Sequence, residues 1–295
     1  LTPRTFNAYG QRKWDKLIEL SSRLTVWEPF LMNFDNANRH SYIYSLDNER
    51  FACRQNEYFS NIASYYRGNA YNNCAQDDPG FPPYDGLIYD CAEETYIQAA
   101  TFEKSQVDGN NYFMIVNRRC SPLDTVNHND GQRYIRVHFD SDHLELNGAN
   151  NWKVTDVLSG WDTVFNKMNS AHVVNLGWFN PGEGKLYKMT PVPKSGGVLA
   201  GDEVITGESF TCEDTIFSNG YNITIGAGTN IKFTDSSCIV MNGGMFTMGD
   251  QQVSGSQNIT FEAESGNSWR GHSFTGTEVH IYGASFSGLA NDSVY

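Results

Sequence analysis

The chain has 295 residues and a net charge of −13, from 34 acidic and 21 basic residues. That length favours two domains over one. The acidic balance excludes a nucleic-acid or anionic-lipid surface, which needs clustered Lys and Arg; the densest basic pair is Arg118-Arg119. Aromatic residues make up 14 % and charged residues 19 %, and Gly, Asn, Ser and Thr are frequent, a composition of strands and turns.

The first segment reads as a helix. Between Gln11 and Phe34 the apolar residues Trp14, Leu17, Ile18, Leu20, Leu24, Trp27, Leu31 and Phe34 recur at spacings close to three and four, forming one broad apolar face. Pro29 is expected to kink or split it near its end. The opening Leu1-Thr2-Pro3-Arg4 has no signal-peptide pattern, and no apolar run approaches the roughly 20 residues needed to span a bilayer. A processed piece of a longer polypeptide is expected.

From Asn36 to Asp90 the chain is polar, aromatic and rich in turn formers, as in Asp77-Asp78-Pro79-Gly80. A loop region this long is usually functional or cross-linked. Cys53, Cys74 and Cys91 are placed to hold it and cluster with Cys120 in one loop-rich region; the six cysteines include no CxxC pair, which leaves a zinc ribbon unsupported. The four read either as one or two disulfides in an oxidising compartment or as buried free thiols.

From Thr95 to Val192 short strands alternate with tight turns. Tyr96–Phe102, Tyr112–Asn117, Tyr134–Phe139, Trp152–Val157 and Lys185–Met189 are the predicted strands, a pattern that argues for an antiparallel sandwich. From Gly196 onward, pieces such as Ile223-Thr224-Ile225, Ile231-Lys232-Phe233, Met245-Phe246-Thr247-Met248 and Ile259-Thr260-Phe261 recur roughly every 20 to 25 residues, the period of a solenoid. The expected fold is mainly β: an antiparallel β-sandwich followed by a right-handed parallel β-helix, with one N-terminal helix. The expected division is 1–94, helix and loop-rich region; 95–193, sandwich; 194–295, partial β-helix whose last coil lacks a cap.

Two resemblances follow from these residues. Tyr112–Cys120 with its Asn117-Arg118 end, then Asp156-Val157-Leu158-Ser159-Gly160, then Pro181-Gly182-Glu183-Gly184, resembles the small β-sandwich that follows the catalytic barrel of many glycoside hydrolases. By the same analogy the helix is similar to the last helix of a barrel. The stretch Asn222–Phe233, with Trp269-Arg270-Gly271 and Val279–Phe286, resembles parallel β-helix repeats of bacterial surface proteins. Together they imply a modular, exported, extracellular or cell-surface protein with a carbohydrate-related history.

Catalysis within the chain is not expected. Asp35, Asp77, Asp78, Glu93 and Glu94 read as turn or strand-end residues, and the acids of the solenoid, Glu203 and Glu208 among them, are dispersed and expected at solvated coil edges. Catalytic carboxylates of a glycoside hydrolase would lie upstream. Asp140 and Asp142 form a candidate calcium pair without a complete calcium-loop spacing; no other cofactor is expected. Tyr65, Tyr66, Tyr84, Trp161 and Trp178 are candidate sugar-stacking rings, set against packing as the plainer alternative, while Trp152 in its alternating strand is expected in the core. Asn222, Asn258 and Asn291 carry Asn-x-Ser/Thr triplets that matter only in a glycosylating pathway. The expected function is a non-catalytic accessory portion that binds neutral glycans, with polysaccharide or other subunits of one surface assembly as partners. The alternatives are a purely structural surface or filament protein, and part of an upstream glycoside hydrolase.

Overall fold

The computed structural model describes residues 8–31, 44–45, 59–67, 87–89, 97–102, 109–118, 132–139, 149–168, 173–253, 257–264, 269 and 271–288. The chain is mainly β, with two antiparallel sheets followed by three parallel ones.

Helix α1 spans Ala8–Leu31 and carries Pro29 in its last turn. Trp27 anchors it among Tyr112, Leu186, Phe102 and Met114, and the Phe30 ring lies 5.3 Å from that of Tyr112. Trp14, Leu17, Ile18 and Leu24 remain exposed.

The six-stranded sheet runs β1 (Tyr44–Ser45), β4 (Ile97–Phe102), β5 (Asn111–Asn117), β10 (Gly184–Pro191), β7 (Asn151–Asp156), β8 (Asp162–Asn166). The four-stranded sheet runs β3 (Leu87–Tyr89), β2 (Phe59–Arg67), β6 (Arg133–Phe139), β9 (Val173–Phe179). Period-2 alternation sends Phe113, Ile115, Val154, Tyr187 and Met189 of one sheet and Ile135, Val137, Phe139, Val174 and Leu176 of the other into one shared core. Phe139 stacks on Phe165 at 4.3 Å, ring on ring across the two layers. The strands β1, β2 and β3 come from before residue 95 and extend both sheets. β2 is a nine-residue strand inside the stretch that the sequence presents as irregular.

The turn motifs have local physical causes. Asp156 Oδ1 accepts from the Leu158 and Ser159 backbone N–H groups (2.9 and 3.3 Å) and so holds the turn before β8. The buried Asn117 amide donates to the Phe179 and Asn180 carbonyls (3.3 and 3.2 Å), while the Gly182 N–H donates to the Asn117 carbonyl at 2.9 Å. The end of β5 is thereby tied to the Pro181-Gly182-Glu183-Gly184 turn.

A short helix α2 (Val192–Ser195) leads into the solenoid. Its three parallel sheets are β11 (Gly197–Val198), β14 (Ile216–Phe217), β17 (Ile239–Asn242), β20 (Ser273–Thr275); β12 (Glu203–Ile205), β15 (Ile223–Ile225), β18 (Met245–Met248), β21 (Glu278–Ile281); and β13 (Ser209–Cys212), β16 (Asn230–Phe233), β19 (Ile259–Ala263), β22 (Ala284–Ser287). Four coils of three strands form a parallel β-helix. The register stacks like on like: Ile205, Ile225, Met248 and Ile281 form one column, and Phe210, Ile231, Phe261 and Phe286 another. Trp269 is fully buried beside Phe233, with ring centroids 4.8 Å apart, and its indole N–H donates to the Ser287 carbonyl at 3.0 Å.

Candidate functional site

The candidate site lies where the sandwich meets the first coil. Glu203 and Ile205 share one face of β12, so Glu203 heads the inward column continued by Ile223, Phe246 and Val279. Above it stands the sandwich. Its Oε1 accepts from the Asn150 backbone N–H at 2.7 Å; its Oε2 accepts from the Asn151 backbone N–H at 2.8 Å and the Asn151 side-chain amide at 2.9 Å. Asn151 returns the contact: its amide also donates to the Gly201 carbonyl, and its Oδ1 accepts from the Ala200 N–H (3.0 and 2.9 Å). The Asn166 amide donates to the Asp202 carbonyl at 3.1 Å, and Lys153 Nζ donates to the Ser195 carbonyl at 3.0 Å. Glycine at 201 allows this close approach: a Cβ would sit 2.5 Å from Asn166 Nδ2 and force a shift.

Glu203 is 2 % exposed, which corrects its expected place at a solvated coil edge. Burial pushes its carboxyl up to about 7, opposed by the Asn150 and Asn151 hydrogen bonds and the Lys167 charge. Burial likewise raises Glu208 and lowers Lys167, whose charge interacts with both acids.

Next to this clamp is a cleft of about 230 Å3. Trp152, Met189, Pro191 and Ile205 make its apolar floor. Asn110, Asn111, Glu208 and Ser209 supply polar groups, with Phe210 and Lys194 alongside. The Trp152 indole N–H donates to the Ala149 carbonyl at 3.0 Å, which fixes the ring. Trp152 is 4 % exposed and belongs to the sandwich core, as its alternating strand predicts.

Of the expected sugar-stacking rings, Trp161 and Trp178 are not among the residues that line this cleft. Trp161 is exposed in the turn before β8. Trp178 lies within β9, edge-on to Tyr134 at 5.5 Å. Tyr65 and Tyr66 are in β2, in register with Tyr89 and Ile88. Tyr84, the candidate calcium pair Asp140 and Asp142, and Cys53, Cys74, Cys91 and Cys120 lie outside the described residues. Cys212 and Cys238 are free thiols, and burial pushes Cys212 up to about 12, which keeps it protonated. No group of three His, Cys, Asp or Glu able to hold a metal occurs among the described residues, and no described helix is long and apolar enough to cross a membrane.

Glu203 could have been found by parity: in Glu203-Val204-Ile205 the acid shares the inward phase of Ile205. Compared with known proteins, the chain matches no family model, no curated protein and no solved structure.

Proposed function

We propose that this chain is a non-catalytic accessory segment of an exported, modular surface protein, in which sandwich and β-helix act as one stiff body. The observation that carries this reading is the seam. A buried carboxylate from the first coil accepts three N–H groups from the sandwich, and Asn151 bonds back to the coil. Polar groups this well satisfied fix one relative arrangement, since any other leaves buried donors unpaired. The same saturation argues against catalysis by Glu203, because both of its oxygens are turned into protein and occupied.

Calorimetry tests the stiff-body reading. One cooperative transition for sandwich and solenoid is expected; two well-separated transitions would sink it. A second reading, contact with neutral glycans, is supported by the cleft's combination of apolar floor and polar rim. An assay for new reducing ends on neutral polysaccharides tests the non-catalytic part, with none expected.

A further inference from the structure

We propose that the seam cleft is a subsite for one neutral pyranose ring of a polysaccharide. This rests on the glycan-contact reading and gives it a place and a ligand class. Size comes first: about 230 Å3 lies below the roughly 300–1,000 Å3 of pockets for drug-sized ligands, and suits a single ring. Shape and polarity follow. Pro191 and the half-buried Phe210 present apolar surface, backed by the buried Trp152 and Met189 beneath. A pyranose has an apolar C–H face that packs on such a surface, while Asn111, Ser209 and Glu208 face its hydroxyls.

Charge then excludes other ligands. Lys194 Nζ lies 3.8 Å from Glu213 Oε1, and the Lys167 charge is drawn to Glu203 and Glu208. Among the described residues the cleft therefore offers no surplus positive charge for a phosphate, sulfate or uronate, on a chain whose net charge is −13. Glu208 is the sole carboxylate among the described lining residues. The position also fits: the cleft joins two units that the seam holds rigid, so a ligand there meets a preformed site.

The test is titration calorimetry of the whole chain with neutral hexasaccharides of β-1,4-linked glucose, xylose and mannose, alongside a hexagalacturonate. Ser209→Trp fills the mouth from an exposed strand end, and Phe210→Ala removes the stacking face. At least one neutral oligosaccharide is expected to bind, and each substitution should weaken it by about tenfold or more. Amide shifts of the wild type on titration should centre on Asn110, Ser209 and Phe210, a readout independent of any variant's folding. Unchanged affinity in both variants, with shifts elsewhere, would overturn the seam subsite and leave the glycan reading intact. No binding of any neutral sugar would overturn both. Preference for the galacturonate would overturn the ligand class.

Discussion

Replacing Glu203 with Gln should remove a defined part of the pH dependence of stability. The Glu203 carboxyl has an ordinary value of 4.5 and is pushed to about 7 by burial in the folded chain. Between those values the native state binds more protons than the unfolded state, so stability falls as pH rises through the window. The full difference is worth about 3 kcal/mol at 1.36 kcal/mol per pH unit, and is present below pH 4.5 and lost above about pH 7. His272 works in the opposite direction. Its ring is packed against Phe233, Phe261 and Trp269, and burial lowers it to about 3. Its contribution is present above 6.5 and lost as pH falls towards 3. The two slopes nearly cancel between pH 4.5 and 6.5, so the wild type alone is uninformative there. The measurement is the difference between wild type and Glu203→Gln in urea unfolding at pH 5 and pH 8. The wild type should lose about 2.5 kcal/mol relative to the variant on going from pH 5 to pH 8, roughly 5–10 °C in melting temperature. A difference that does not move with pH, or moves the other way, would refute the buried-acid account of the seam.

Three further outcomes follow from the packing. His272→Leu should flatten the loss of solenoid stability below pH 6.5, followed by circular dichroism during acid titration; an unchanged acid limb would contradict the packed neutral imidazole, whose Nδ1 accepts the Ile239 N–H at 3.1 Å. Phe261→Ala, at a fully buried position between Phe233 and Phe286, should cost about 3–5 kcal/mol in denaturant unfolding. Gly201→Ala should cost about 1–3 kcal/mol, because its Cβ would press on Asn166 and part the seam; Ala at the open Gly207 of the next turn meets no atom within 4 Å, and its cost is backbone strain at φ 70° alone.

The solenoid was legible because each inward column repeats one kind of residue, as in Ile205, Ile225 and Met248, between short turns. The strands β4, β5, β6, β7 and β10 showed themselves by alternation or by dense apolar runs. Two strands of the four-stranded sheet did not. β2 mixes Ser60, Asn61 and Ser64 with aromatics and shifts register between Phe59 and Asn61. β9 contains Gly177, and its pairing with β6 shifts between Ile135 and Arg136. A bulge breaks the period on which a strand is read. The seam was hidden for another reason. An isolated Glu looks solvated until a second unit brings N–H donors to it, and those donors, at Asn150 and Asn151, lie some fifty residues earlier.

The central claim, that sandwich and β-helix form one body through the seam, is tested most directly by native-state hydrogen exchange at Asn150, Asn151 and Ala200. Their N–H groups cross the junction. They should exchange as slowly as the core amides of Ile231 and Phe261, through the same global opening. Fast exchange at these three amides, with both units still protected, would contradict it.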